Sequence, residues 1–222
     1  MEIYPSLISS DLLQLKTTLT LLDQHCPGYH LDIMDDHFVP NLTWGPAFIN
    51  EIRASTKQNL NVHLMVQHPA SWLERLALNP GDVFIFHHEA VEGADTQKKL
   101  IDAIHAKKWL AGIAINPKTS VESITTALPI IDHVLIMSVE PGFSGQNFIL
   151  NAVQKVAPLL AKKKQLNKLF KIGMDGGIGQ NNISSIAQHG VDYIAAASAI
   201  FGQSDPVAAL QRLKQALPTH KD

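Results

Sequence analysis

Residues 29–34 read Tyr-His-Leu-Asp-Ile-Met, a short apolar run whose alternation puts His30, Asp32 and Met34 on one face of a strand. Seven further runs of this kind recur along the chain: Ile3 to Leu7, Asn61 to Val66, Val83 to His87, Leu110 to Ile115, His133 to Ser138, Phe170 to Asp175 and Asp192 to Ala197. Each is followed by a longer amphipathic stretch. The first of these, Asp11 to Gln24, opens on Ser10-Asp11 as a cap and places Leu12, Leu15, Leu19 and Leu22 on one side. The later ones begin near Pro46, Pro69, Asp95, Ser120, Phe148, Gln180 and Asp205, most of them with Pro, Ser or Asp where a helix start favours those residues. Eight strand-then-helix units in 222 residues predict an α/β fold, a closed (β/α)8 TIM barrel near the lower end of that fold's size range, as one domain over residues 1–222. An open doubly wound sheet is the alternative. Against it, the turn after the first strand, Leu7-Ile8-Ser9-Ser10, contains no glycine, so the G-x-G-x-x-G dinucleotide turn is absent. No linker, low-complexity tract or charge block divides the chain, and Lys162-Lys163-Lys164 falls at a predicted helix end, where lysine complements the dipole.

Composition narrows the class of partner. With 45% hydrophobic and 17% charged residues the chain can bury a sizeable core, which excludes disorder and fibres. Eighteen basic against 20 acidic residues leave a formal charge of −2, so no electrostatic excess points to nucleic acid or an anionic membrane, and a small ligand is expected. A lone cysteine, Cys26, cannot pair within the chain, in keeping with a reducing compartment. The start MEIYPSLISSD carries Glu2 and Asp11 where a signal peptide needs a basic start and a longer apolar centre, and IAAASAIF is far short of the roughly 20 residues that span a bilayer. A cytoplasmic location is the expectation.

In such a barrel the site lies at the C-terminal ends of the strands. There the second strand ends in His30-Leu31-Asp32-Ile33-Met34-Asp35, the third in Asn61-Val62-His63-Leu64-Met65, with His63 and Met65 sharing a face, and the seventh in Met174-Asp175-Gly176-Gly177. One histidine among 11 is by itself an ordinary packed residue; two imidazoles and two carboxylates on one rim are not. That mix suits one divalent transition metal ion such as Zn, Fe(II), Mn or Co, and inward-facing Asp32 and Asp175 need a cation or a strong hydrogen-bond partner in any case. A second cluster is built for an anion. Pro141-Gly142-Phe143-Ser144-Gly145-Gln146, Gly176-Gly177 and Ala197-Ser198, on the loops after the last three strands, supply small residues whose backbone N–H groups can turn toward a phosphate.

These stretches resemble ribulose-phosphate 3-epimerase. The resemblance runs from about Ile3 to Gly202 and is carried by Pro5-Ser6-Leu7, HLDIMDDHFVPN from His30, VHLMV from Val62, MSVEPGFSGQNFI from Met137 and MDGGI from Met174. It implies a barrel of the ribulose-phosphate-binding type, one divalent metal held by His30, Asp32, His63 and Asp175, and interconversion of D-ribulose 5-phosphate and D-xylulose 5-phosphate in the pentose phosphate pathway. Inverting C3 of a 2-ketose means removing a proton alpha to a carbonyl through an enediolate, with one group on each face, and Asp32 and Asp175 are the acid/base pair. The resemblance further places Met34, Met65 and Met137 against the reacting carbons and Ser6 against a substrate oxygen. It gives His63 a place beside the substrate, and Gly142, Gly145, Gly177, Ala197 and Ser198 the phosphate, with the Phe143 to Phe148 stretch as a closing loop.

Departures from the family pattern stand at Asp36, where glycine is usual, at Asn61 for aspartate, at Ala197 for glycine and at Gly173-Met174, where a charged or branched residue is frequent. Phe86-His87-His88-Glu89 keeps the family's His and Glu at the fourth strand end. D-Allulose 6-phosphate 3-epimerase, with the same metal site and a substrate one carbon longer, is the nearest alternative. A non-catalytic sugar-phosphate-binding barrel and a metal-free barrel enzyme are others; the last leaves His30 and His63 unexplained. Apolar surface on the outer helices, together with the resemblance, points to a homo-oligomer, a dimer or a hexamer.

Overall fold

Eight strands, β1 Glu2–Pro5, β2 Gly28–Met34, β3 Asn59–Met65, β4 Val83–His87, β5 Leu110–Ile115, β6 His133–Met137, β7 Lys171–Asp175 and β8 Tyr193–Ala196, lie parallel in the order β1-β8-β7-β6-β5-β4-β3-β2 in a computed structural model that describes residues 1–218. The last four residues of the expected 1–222 span lie outside the described residues. β1 and β2, the two ends of that order, meet through a parallel bridge between Ser6 and His30, which brings the sheet round into the expected barrel. The α-helices are α1 Leu15–Leu22, α2 Pro46–Ser55, α3 Ala94–Ala106, α4 Val156–Leu166, α5 Ile183–Gln188, α6 Ser198–Phe201 and α7 Pro206–Gln215. Pro46 and Pro206 stand in the first turns of α2 and α7, and the Asp205 carboxylate caps α7 by accepting from the Ala208 N–H.

Several connections are tighter than the periodicity suggests. β1 ends at Pro5 and not at Leu7, because Leu7–Ser9 curls into a 3₁₀ turn whose Leu7 carbonyl accepts both the Ser10 N–H and its hydroxyl. Asp11 caps a 3₁₀ turn over Leu12–Gln14 before α1 begins. The change of pitch rotates Leu12 out to 44% exposure while Leu15, Leu19 and Leu22 stay buried. The stretches from Pro69 and Ser120 are 3₁₀ turns, Pro69–Trp72 and Val121–Ile124, rather than α-helices. Pro80-Gly81 closes the first segment, and Thr125, Thr126 and Pro129 disfavour helix in the second. A 3₁₀ segment, Leu150–Lys155, likewise precedes α4, and the helix expected near Gln180 starts at Ile183.

The core has two large parts and a small third cluster of Met34, Val39 and Met65. Outward-facing Leu31, Ile33, Val62, Leu64, Phe84 and Phe86 pack against the helices through residues such as Leu19, Ile49, Ile52, Ile101 and Ile104. Inside the barrel, Tyr4, Val83, Ile85, Ala114, Leu135 and Tyr193 form a plug beneath the strand ends. Here Gly173 has its physical reason: a Cβ at that position would stand 2.1 Å from Cζ of Tyr193, whose ring meets Tyr4 edge-on at 5.6 Å. Gly173→Ala is expected to lower unfolding stability by about 1–3 kcal/mol through overpacking. Urea denaturation checks this, and a variant as stable as the parent would show that the ring does not set the size of residue 173.

Candidate metal centre

Alternation along β2, β3 and β7 delivers the polar side chains to the barrel mouth. In register, His30 lies opposite Asn61, Asp32 opposite His63, Met34 opposite Met65, and Met137 opposite Asp175. His30 and His63 are fully buried, Asp32 is 4% exposed, and Asp175 is partly open to the cavity above. One nitrogen or oxygen from each of His30, Asp32, His63 and Asp175 lies within 4.8 Å of the others. Asp32 Oδ1 stands 3.2 Å from His30 Nε2 and 3.0 Å from His63 Nδ1. The two ring nitrogens are 3.3 Å apart, and Asp175 Oδ2 is 3.7 Å from His30 Nε2 and 3.6 Å from His63 Nδ1.

These separations suit a cation. Bonds of about 2.1 Å to a tetrahedral centre put neighbouring ligand atoms about 3.4 Å apart, in the middle of the observed range. The donor set of two imidazoles and two carboxylates matches a divalent transition ion. Ser6 Oγ donates to the second Asp32 oxygen at 2.5 Å, and Thr43 Oγ1 accepts from the Met34 N–H and donates to the Asp32 carbonyl, locking the end of β2.

Electrostatics separate the two carboxylates. Burial works to raise the pKa of Asp32, but the imidazoles of His30 and His63 overcome it and hold this carboxyl well below the usual range. Burial and the Asp32 charge push Asp175 up to about 7. Burial also drives His63 down to about 3, against its hydrogen bond to Asp32, whereas at His30 the neighbouring aspartates prevail over burial and the pKa rises. One carboxylate is therefore held ionised and the other close to neutrality.

A cavity opens directly above this pair. Asp32 and Asp175 form its floor, and Met34, Met65 and Met137 its walls, with Gly142, Phe143, Ser144, Gly145, Gln146, Gly176, Gly177, Ala197 and Ser198 around its rim. Ser6, His30 and His63 lie behind Asp32 and do not line the cavity. Gly177 has φ +64, and a Cβ there would come within 2.6 Å of the Phe148 amide nitrogen, so the rim loops touch backbone to backbone. Asn41 Nδ2 donates to the Gly142 carbonyl at 2.7 Å, and Gln146 Nε2 donates to the carbonyls of Glu140 and Phe143 at 2.7 and 2.9 Å, bracing a loop whose Phe143 ring is 56% exposed.

Ile8, Val139, Pro141, Ile178 and Ala195 also line the cavity. Of these, Pro141 belongs to the loop read for an anion, whereas Ile8, Val139, Ile178 and Ala195 are missed by sequence reading because apolar packing residues carry no chemical signature. The departures find their places too. Asp36 takes a left-handed φ of +58 with its N–H bonded to the Asn41 carbonyl. Ala197, at φ −101, needs no glycine. Asn61 is buried, with neither side-chain polar atom bonded among the described residues.

The sequence model described as "Ribulose-phosphate 3 epimerase family" matches residues 2–201. A ribulose-phosphate 3-epimerase of Treponema pallidum (strain Nichols) is 38% identical over 198 residues, covering 89% of each chain. The cytoplasmic isoform of ribulose-phosphate 3-epimerase from Oryza sativa subsp. japonica is 36% identical over 220 residues, covering 97% of this chain and 94% of that one. Among solved structures, KGPDC from Streptococcus mutans in complex with D-R5P has a TM-score of 0.73 at 14% identity, covering 97% of this chain and 96% of its own. The 3-hexulose-6-phosphate synthase of Salmonella typhimurium has a TM-score of 0.67 at 13% identity, with 98% of both chains covered. At such identities those two structures share the fold alone. The sequence relatives carry the assignment further: this chain is an epimerase and belongs to the ribulose-phosphate 3-epimerase family.

Proposed function

We propose that this epimerase inverts C3 of a phosphorylated ketose, interconverting D-ribulose 5-phosphate and D-xylulose 5-phosphate, with Asp32 and Asp175 as its acid/base pair. The observation that carries the reading is the shared cavity floor of two carboxylates whose surroundings hold one ionised and push the other up to about 7. Inversion through a planar enediolate needs a base on one face and an acid on the other, and this pair supplies both at neutral pH. His30, Asp32, His63 and Asp175 would hold one divalent cation, Zn, Fe(II), Mn or Co, which when bound supplies Lewis-acid polarisation of the substrate carbonyl.

The remaining residues bind and enclose the substrate. Ser6, buried behind Asp32, steadies that carboxylate through its hydroxyl and so acts on the substrate through Asp32, not by direct contact. Met34, Met65 and Met137 wall the reacting carbons with polarizable, water-excluding sulfur and methylene groups. Backbone N–H groups of Gly142, Gly145, Gly177, Ala197 and Ser198 receive the phosphate, and Phe143 to Phe148 closes over it. No helix among the described residues is long and apolar enough to cross a membrane. Action on a small solute, on one barrel unit assembled as a homo-oligomer, fits the exposed Leu13 and Leu169 outside the site.

Proton NMR in deuterated water is expected to show deuterium entering C3 of D-ribulose 5-phosphate and D-xylulose 5-phosphate accumulating in metal-replete protein. Chelation is expected to stop both while the far-ultraviolet circular dichroism stays unchanged. Exchange with allulose 6-phosphate and not with the pentulose would move the substrate to the hexulose; no exchange with either would leave a binding barrel. Asp175→Asn should lower kcat by about 10²–10⁴-fold without unfolding the chain, and full activity in that variant would contradict the two-carboxylate scheme.

Cation binding should also release protons. Asp175, with a pKa near 7, and His30, with its pKa raised, must shed protons before they ligate, so affinity is expected to weaken as pH falls from 8 to 6. Calorimetry in buffers of different ionisation enthalpy reads the number of protons released. A pH-independent affinity would contradict the protonation states assigned to the pair.

A further inference from the structure

His87 and Glu89, at the end of β4, play no part in the scheme above, yet they join the metal centre directly. His63 Nε2 lies 2.8 Å from His87 Nε2, and His87 Nδ1 lies 3.3 Å from Glu89 Oε2. The other Glu89 oxygen accepts the Asn116 N–H at 2.8 Å and the Thr119 hydroxyl, so the carboxylate is anchored to the loop after β5. Both imidazoles are fully buried, and the His87 ring is held between His63 and Phe38, with centroids 5.0 and 4.8 Å away.

With His63 Nδ1 given to a cation, the geometry leaves one consistent arrangement of protons. His63 aims Nδ1 at Asp32, Asp175 and His30, so this nitrogen must keep its lone pair for a cation and the ring proton goes to Nε2. That N–H then needs an acceptor, and His87 Nε2 is at hydrogen-bond distance. Accepting there puts the His87 proton on Nδ1, where the Glu89 carboxylate receives it. A protonated His87, or one carrying its proton on Nε2, would set two N–H groups face to face across 2.8 Å.

We infer that His87 and Glu89 are positioning residues for the metal centre: the chain His63–His87–Glu89 fixes the tautomer and ring plane of His63 so that Nδ1 points into the cation site. The inference rests on His63 ligating a divalent cation. Partners of this kind on a ligating imidazole are worth about 10–100-fold in metal affinity.

The test uses intact protein with ¹⁵N-labelled histidine, loaded with zinc, and long-range ¹⁵N–¹H correlation. His63 is expected with Nδ1 metal-bound and Nε2 protonated, and His87 with Nδ1 protonated and Nε2 bare. His87 found as the other tautomer or as imidazolium would overturn the inference. His87→Phe keeps a ring between His63 and Phe38 but removes the acceptor. It is expected to raise the zinc Kd about 10–100-fold and to shift the visible absorption of the cobalt(II)-loaded protein. Glu89→Gln, which retains an acceptor oxygen, should fall between this variant and the parent. An unchanged Kd and cobalt spectrum in His87→Phe would overturn the proposal, and if that variant does not fold, the tautomers of the parent decide alone. Zinc that leaves the His30 and His63 resonances unmoved would overturn the metal centre and this inference together; zinc that moves them with His87 in the other tautomer would overturn this inference only.

Discussion

Two aspartates aimed into one buried barrel mouth cannot both remain ionised unless positive charge lies between them. That constraint organises the site. Asp32 keeps its charge because His30, His63 and the Ser6 hydroxyl all reach it, while Asp175 is pushed toward the neutral acid by burial and by Asp32 itself. The two carboxylates that repel one another would, with the two imidazoles, become a ligand set once a divalent cation supplied the missing charge. The proposed proton transfer on two faces of a carbon would draw on that same pair.

The barrel is what makes that arrangement rigid. Strand alternation points His30, Asp32 and His63 inward, pairing sets Asp32 level with His63, and the Ser6–His30 bridge that joins β1 to β2 lies at the centre itself. Below it the Tyr4 and Tyr193 rings fill the interior, with Gly173 giving the room. Above it the loops after β6 and β7 meet backbone against backbone at Gly177, and the loop after β8 completes the rim, an arrangement suited to main-chain donors.

Much of this was legible in the chain because a parallel barrel strand is buried on both faces, so a histidine or aspartate at its end stands out from the apolar run around it. The strand ends at Asp32, His63 and Asp175 and the glycine-bearing loops stand out in this way, and the structure gathers the three side chains into one cluster with His30 while Asp32, Asp175 and the loops line one cavity. Helical connections were less legible. Pro69 and Ser120 give the same start signals for an α-helix and a 3₁₀ turn, and the outcome depended on how soon Pro80 or Pro129 cut the segment short. Leu12 had the right spacing but fell in a turn of different pitch. The cavity walls at Ile8 and Val139 were silent because packing residues look alike in sequence. His87 and Glu89 were visible as residues and opaque in role, since their partners His63, Asn116 and Thr119 come from the third strand and from the loop after the fifth.

The central claim is that one cation sits among His30 Nε2, His63 Nδ1, Asp32 and Asp175. Anomalous diffraction from crystals grown with cobalt(II) tests it most directly. The account predicts a single strong peak about 2.0–2.2 Å from those four side chains, and a peak elsewhere, or one ligated without both histidines, would contradict it.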